Sequence, residues 1–559
     1  MPAMTRAKAL AALTAPGQTY AIERQLVHGE PQRVFVNAPA SLRALFEEAR
    51  SDATFIVFED ERRTFAETWQ EASTIAHILV HDYGIAQGDR VAISMRNYPE
   101  WMTAFMAVTS IGAIAVAMNA LWTPDELEYG LTNAGAKVLF ADQERLDRFA
   151  QCKGMLETRV IAVRPTSATT HPDLARLMAR VGSVPMPERT IDTDDPIIMF
   201  FTSGSTGHPK GVVSSNRNVL TALMSWELDA QAGLMVLGET PAPLPYQSAT
   251  LLAVPLFHVT GSHAVFLQCF RAQRKIVSMY KWQPEAAAEL IERERISSFT
   301  APAAMTGDLV RIARSTQRDL GSLLTVGGGG APRAPEQVRQ IGSSFTQALP
   351  NTGWGMTETN GIGTGIGGHD YLDHPASSGR VSTVLELRVV DDAGTTLPAG
   401  QRGELQIRGT SVFRGYWNRP EVNAEAFVDS WFRTGDVAYI DEEGYLFIVD
   451  RIKDLIIRGG ENIGCGQVEA ALLLHPDVYE AAVYAVPDER LGEEVGATLF
   501  CKPALDFTEL EVFLSNHLAK FEIPRYLRRS EGPLPRTASG KILKRELRAE
   551  AVQALESGA

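Results

Sequence analysis

The sequence predicts a layered α/β protein carrying a β-rich subdomain and a further small domain, on three observations. Helical and strand patterns alternate through most of the first 350 residues, the pattern of sheets covered by helices. From about residue 375 the texture changes to short alternating strands separated by turn signals. Residues 449–454 show no regular pattern, which marks a boundary near Asp450, and 559 residues exceed what one core organises. These place a large N-terminal domain over residues 1–450, its β-rich part at about 375–450, and a C-terminal domain over residues 451–559.

The elements follow in chain order. Residues 104–122 are the most apolar stretch, but Thr109, Ser110, Gly112 and Asn119 interrupt it. That predicts a buried helix turning into a buried strand at residues 114–118, and no integral membrane segment. Thr123-Pro-Asp-Glu126 supplies a capping hydroxyl, a proline at the first helical position and the glutamate of a capping box; Gly135 can stop that helix before a strand at residues 137–142. Ile197-Ile-Met-Phe-Phe201 is a five-residue apolar run read as a buried strand. In the β-rich part, Leu385-Glu-Leu-Arg-Val-Val390 and Gly403-Glu-Leu-Gln-Ile-Arg408 read as strands, with turns at Asp391-Asp-Ala-Gly394 and Asp441-Glu-Glu-Gly444.

Composition narrows the function. Hydrophobic residues make up 45% and charged residues 21%, which excludes global disorder, collagen and coiled coil. With 53 Lys+Arg against 67 Asp+Glu the net charge is -14, so the whole repels nucleic acid and anionic membranes, and a polyanionic ligand must be caught locally. Cys152, Cys269, Cys465 and Cys501 lie far apart and suggest neither a zinc site nor a disulfide framework. The N-terminus lacks a continuous apolar core of signal-peptide length, and Pro16-Gly17 breaks it, so the expected location is the cytosol.

The strongest chemical signal follows the strand at 197–201. Thr202-Ser-Gly-Ser-Thr-Gly-His-Pro-Lys-Gly211 combines three glycines, four hydroxyl-bearing residues and one ammonium, so backbone N–H groups can approach a polyphosphate. It is not a Walker A loop, because that spacing is absent and Gly211 follows Lys210. The loop resembles the signature of the adenylate-forming superfamily, which includes acyl-CoA synthetases, peptide-synthetase adenylation domains and beetle luciferase. Further matches keep the superfamily order: Pro255-Leu-Phe-His258-Val-Thr-Gly261, Gly327-Gly-Gly-Gly-Ala-Pro332, Gly353-Trp-Gly-Met-Thr-Glu358, Thr434-Gly-Asp436, Asp450-Arg451-Ile-Lys-Asp454, Arg458-Gly-Gly-Glu-Asn-Ile463 and Pro535-Arg-Thr-Ala-Ser-Gly-Lys541. The resemblance spans nearly the whole chain and places it with the acyl-CoA synthetases acting on fatty or arylalkanoic acids.

The resemblance implies an N-terminal adenylation domain, a small mobile α+β C-terminal domain and a role for each motif. ATP, Mg²⁺, CoA and a small carboxylic acid are the implied ligands. Thr202, Ser203, Gly204, Ser205, Thr206, Gly207 and Lys210 would cradle the phosphates. Thr206 and Glu358 would hold Mg²⁺, and Thr357 would bond the α-phosphate. Gly330, Ala331 and Pro332 with Trp354 would sandwich adenine, Trp354 standing where tyrosine is more usual in acyl and aryl ligases. Asp436 and Arg451 would hold the ribose. Lys541 would bridge carboxylate and α-phosphate, Asp450 would be a hinge, and Arg458, Gly459, Gly460 and Glu461 would face CoA. His258 would stand between acyl pocket and thiol tunnel. A homodimer stays open as a partner, as does a lysine acetyltransferase that silences Lys541.

Around Lys541 a cationic band interrupts the acidic whole: nine basic residues against three acidic ones between Lys520 and Arg548. The acyl pocket is expected at Gly328 and Gly329, at His258, and along Thr359-Asn-Gly-Ile-Gly-Thr-Gly-Ile-Gly-Gly368, with Gly361, Gly363 and Gly365 leaving room for a bulky hydrophobic acid; no basic residue in that stretch would hold a second carboxylate. The same stretch satisfies G-x-G-x-x-G, but no strand precedes it and no helix is predicted after it, so dinucleotide binding is rejected. His369, Asp370, Asp373 and His374 read as a polar loop rather than a metal site. Gly464-Cys465-Gly466 departs from the family, where a bulkier residue precedes Pro or Ser. Two rival functions remain: a ligase delivering the acyl group to a carrier protein or amine, and a nucleotide-binding pseudoenzyme, against which intact Lys541, Glu358 and Asp436 argue.

Overall fold

A computed structural model describes residues 4–202, 208–238, 243–329, 333–537 and 540–556. Two sheets form the N-terminal layers. The first orders its strands as Gly415–Tyr416, Lys210–Ser215, Pro196–Thr202, Ile114–Ala117, Arg90–Ser94, Val138–Asp142 and Arg159–Val163. Its last five are parallel and its first three antiparallel. The second sheet has nine strands with a parallel centre and antiparallel pairs at both ends. One apolar core, including Phe55, Ile93, Trp101, Phe105 and Phe266, joins the sheets. Helix Pro99–Ser110 lies in it, buried at every position except Glu100.

Local chemistry explains the element boundaries. Helix Pro124–Ala134 has the capping box expected: Glu126 N–H donates to Thr123 Oγ1 at 3.4 Å and Thr123 N–H to Glu126 Oε2 at 2.8 Å. Gly135 closes that helix at φ 61, a left-handed position that favours glycine. The buried strand Ile114–Ala117 follows helix Pro99–Ser110, and no described helix is long and apolar enough to cross a membrane. One expectation needs correction: residues 449–454, read as irregular, begin inside strand Leu446–Arg451, which pairs with Trp431–Ile440.

Strands Leu385–Val390, Gly403–Gly409, Phe427–Val428, Trp431–Ile440 and Leu446–Arg451 make a five-stranded sheet. A separate sheet is built on the long hairpin Val478–Asp488 and Gly492–Cys501, to which Ile456–Arg458 pairs antiparallel and Tyr526–Arg529 parallel. Helices Cys465–Leu472, Phe507–Leu514 and Lys544–Glu556 cover it. The passage between the two sheets is pinned at Asp450, whose Oδ2 accepts from Cys465 N–H at 2.6 Å, the first residue of helix Cys465–Leu472. The unusual glycines fit this contact. A Cβ on Gly464 would stand 3.1 Å from Val449 O, so a larger residue would push the two segments apart.

Candidate active site

A cavity of about 2380 Å³ opens where strands of both N-terminal sheets end and the C-terminal segment docks. Such strand ends are the usual ligand position in open α/β sheets. Lining it are Thr202, Lys210, His258, Gly328, Gly329, Trp354, Thr357, Glu358, Gly361, Gly365, Asp436, Asp450, Arg451 and Lys541. Residues from seven of the eight sequence motifs therefore converge on one space. Ser203, Gly204, Ser205, Thr206 and Gly207 lie outside the described residues, as do Gly330, Ala331 and Pro332. Strand Pro196–Thr202 nevertheless ends at the cavity, with Lys210 paired opposite Thr202 on the return strand.

Charge is balanced across the cavity. Arg451 Nε meets Asp436 Oδ1 at 2.6 Å and the Trp354 indole N–H donates to Asp436 Oδ2 at 2.8 Å. Burial raises the Asp436 carboxyl while Arg451 opposes the rise. Lys541 lines the cavity and remains solvent-exposed, with protein groups crowded around its ammonium. Burial and the neighbouring Arg451 lower its ammonium below the ordinary lysine value; Asp436 and Glu358 pull the other way. Its loop is tight: Thr537 N–H donates to Lys541 O at 2.7 Å and Lys541 N–H to Thr537 Oγ1 at 3.1 Å. A Cβ on Gly540 would lie 3.3 Å from Pro302, which marks the close approach of this loop to the N-terminal layers.

Glu358 sits on the short 3₁₀ turn Thr357–Thr359 and is buried. Tyr416 Oη donates to Glu358 Oε1 at 2.9 Å, and Lys210 Nζ lies 5.0 Å from the centre of the Tyr416 ring. Burial and Glu358 push the Tyr416 phenol above its ordinary value, so it stays a donor. Beneath the turn, buried His263 bonds Asn360 Oδ1 through Nε2 at 3.2 Å, and Asn360 Nδ2 donates to Ser411 O at 2.8 Å. Asn360 adopts φ 57, a conformation Asn tolerates. His258 precedes the irregular helix Thr260–Phe266; burial, then Lys541, pushes its imidazole down to about 4, which leaves it neutral near pH 7. Gly261 permits this turn, because a Cβ there would fall 2.2 Å from Pro255 O.

Tyr416, His263 and Asn360 were not singled out in the sequence. The second histidine five residues after His258 was the available signal for one of them. Other placements differ from expectation. Gly363 does not line the cavity: a Cβ there would be 2.5 Å from Trp354 Cε3, so it packs behind that ring. Residues expected as a polar loop instead form helix Gly368–Asp373, directly after strand Thr364–Gly367. Asp370 there pairs with Arg380 at 3.3 Å and accepts from Tyr445 Oη. Arg6, from the far N-terminus, supplies a cation beside the glycine stretch that the stretch itself lacks. Arg458, Gly459, Gly460 and Glu461 form a hairpin turn away from the cavity, with Arg458 Nη2 held 2.7 Å from buried Glu494.

A two-domain enzyme with a large cleft at its strand ends, lined by paired cations and carboxylates, is the class these features define. The chain belongs to the AMP-binding enzyme family: that family matches residues 44–417, and the AMP-binding enzyme C-terminal domain matches residues 467–541. It is 31% identical over 494 residues to the long-chain-fatty-acid–CoA ligase FadD13 of Mycobacterium tuberculosis, covering 88% of this chain and 93% of that one. It is 32% identical to a feruloyl-CoA synthase of Amycolatopsis, over 87% of this chain and 93% of that one. ATP-bound MatB from Rhodopseudomonas palustris superposes with a TM-score of 0.80 at 26% identity, over 92% of this chain and 99% of that one.

Tyr416 gives a direct structural test. Tyr416→Phe leaves buried Glu358 Oε1 without this donor and should lower unfolding free energy by about 1–3 kcal/mol, measured by urea denaturation.

Proposed function

We propose that the chain is an AMP-forming acyl-CoA synthetase for a hydrophobic carboxylic acid, and that Lys541 in the shared cavity carries the first half-reaction. The single observation that supports this reading most is the convergence of Lys541 with Arg451, Asp436, Glu358 and His258 on that cavity. A carboxylate oxygen attacks the α-phosphorus of ATP, the new C–O–P linkage forms, and the bond to pyrophosphate breaks. Both reactants are anionic, so the ammonium of Lys541 bridges them and offsets charge that increases during attack. Thr357 donates to the α-phosphate. Asp436, its two oxygens already oriented by Arg451 and Trp354, keeps lone pairs for the ribose hydroxyls. Trp354, on the cavity wall, stacks on adenine.

Mg²⁺ fits the site on this reading, since Glu358 offers a hard carboxylate oxygen at the cavity wall; the other expected ligand, Thr206, lies outside the described residues. When bound, the ion neutralises phosphate charge. Glu358 is held in place for it by the Tyr416 phenol.

The second half-reaction breaks the acyl–phosphate bond: the CoA sulfur attacks the acyl carbon and AMP leaves with the electron pair. Lys541 reaches the cavity while Gly460 stands outside it, so we assign this structure to the adenylate-forming orientation. A rotation at Asp450 would withdraw Lys541 and bring the hairpin of residues 458–461 to the thiol path, with Asp450 releasing the Cys465 N–H. Neutral His258 lies between the two paths.

The acyl space runs past Gly361, whose Cβ would sit 3.3 Å from Val259 and 3.4 Å from Trp226, toward Gly365. Small residues opposite an aromatic wall suit a medium or long fatty acid or an arylalkanoic acid. AMP release measured across fatty, aryl and arylalkanoic acids should depend on both acid and CoA; release that needs an amine or carrier protein instead would favour the amide- or carrier-ligase reading. Gly363→Val should displace Trp354 and raise KM for ATP about ten- to a hundredfold with every acid, as loss of base stacking does. Gly365→Val, whose Cβ would stand in van der Waals contact with Asp229 at 3.5 Å, should leave KM for ATP unchanged and discriminate against long acids by about 1–3 kcal/mol.

A further inference from the structure

Helix Asn216–Leu237 presents one face to the cavity, through Trp226, Asp229, Ala230, Gly233 and Leu237. These positions recur at helical spacing, so they form a single stripe. All but Asp229 are apolar or small. A carboxylate in the middle of a helix and of an apolar wall is costly without a ligand or partner.

Its partner comes from outside the family-matched segment. Helix Arg6–Leu13 packs on helix Asn216–Leu237, and Arg6 Nη2 lies 2.6 Å from Asp229 Oδ1. A second contact, Tyr20 Oη donating to Glu227 Oε2 at 3.4 Å, holds the same N-terminal segment. Both Arg6 and Asp229 line the cavity. The pair leaves one atom unanswered: Asp229 Oδ2 is buried and has no hydrogen-bond partner among the described residues. Across from it is Gly365, where a Cβ would stand 3.5 Å from that oxygen. Asp229 thus lines the cavity beside Gly365, in the stretch expected at the acyl side, with Oδ2 itself shielded from solvent.

We propose that Arg6 and Asp229 form the far wall of the acyl site and that the preferred acid carries a hydroxyl at its end remote from the reacting carboxylate, donated to Asp229 Oδ2. The inference rests on the acyl-CoA synthetase reading and specifies its substrate. Charge selects the donor. The Arg6–Asp229 pair is neutral as a unit, so a neutral hydroxyl adds a hydrogen bond without adding net charge beside it. An ammonium would leave the wall positive, and a second carboxylate would meet the free oxygen of Asp229. The hydroxyl belongs either to an alkyl chain or to an aromatic ring.

Matched acids separate these cases: hexanoic, octanoic and decanoic acids against their ω-hydroxy forms, and 3-phenylpropanoic against 3-(4-hydroxyphenyl)propanoic acid. Affinities are read by calorimetry in the full-length protein, and kcat/KM by acid-dependent pyrophosphate exchange. The hydroxyl should improve affinity about ten- to a hundredfold in at least one pair, and the pair that responds shows whether the hydroxyl is alkyl or phenolic. Asp229→Leu should abolish that preference while keeping or improving binding of the unsubstituted acid. Arg6→Ala, which leaves the carboxylate uncompensated, should shift preference toward the matching ω-amino acid; a wall that merely tethers the N-terminal helix would not do this. If Asp229→Leu fails to fold, the isosteric Asp229→Asn and Arg6→Ala carry the test. A hydroxyl that weakens binding in every pair, or variants that weaken all acids equally, would overturn the proposal. Hydroxyl-dependent binding without any pyrophosphate exchange would leave the wall assignment standing and refute the synthetase reading.

Discussion

The site depends on two cations and two carboxylates brought into one cavity by a sheet, a turn and a loop from separate parts of the chain. Arg451 and Asp436 come from paired strands of the five-stranded sheet, Glu358 from a 3₁₀ turn, and Lys541 from a loop of the C-terminal segment. Each group alone would be expensive to bury. Together they are nearly self-compensating, and the opposing effects on Lys541 express that balance: burial and Arg451 lower its ammonium, while Asp436 and Glu358 sustain it. A polyanionic nucleotide would tip the balance further toward the charged lysine. An acidic protein with a net charge of -14 thereby presents positive charge to phosphate at one place.

The supports of these groups are polar and specific rather than merely apolar. Tyr416 orients Glu358, His263 and Asn360 carry the turn beneath it, and Trp354 with Arg451 fixes both oxygens of Asp436. Glycines at 261 and 464 allow backbone segments to come close where a side chain would collide. The same logic reaches the hinge: Asp450 holds the first N–H of helix Cys465–Leu472, so the residue expected to rotate also carries a hydrogen bond that rotation must break. A bond of that kind gives the orientation seen here a defined energetic preference instead of a loose joint.

Much of this was legible in the sequence because it was local. Thr123, Pro124, Glu126 and Gly135 specify their helix within a dozen residues, and the run at 197–201 specifies a buried strand by its apolar continuity. The ordered motifs likewise named the charged groups that meet in the cavity, Lys541, Arg451, Asp436 and Glu358. What stayed hidden depends on distant pairing. Tyr416 meets Glu358 across 58 residues, and Arg6 meets Asp229 across 223, separations that no spacing rule reaches. Gly363 was assigned to the acyl pocket with Gly361 and Gly365, but the chain between an irregular turn and a short strand does not alternate simply, and Gly363 faces Trp354 instead. Helix Gly368–Asp373 was missed because its residues are poor helix formers, and contacts of Asp370 with Arg380 and Tyr445 stabilise it from outside.

We propose that Lys541, in the orientation seen here, serves adenylate formation alone. It is tested most directly by assaying the two half-reactions separately in folded Lys541→Ala. The account predicts that acid-dependent pyrophosphate exchange falls by orders of magnitude while supplied acyl-adenylate and CoA still yield thioester at near the wild-type rate. Equal loss of both half-reactions would contradict it.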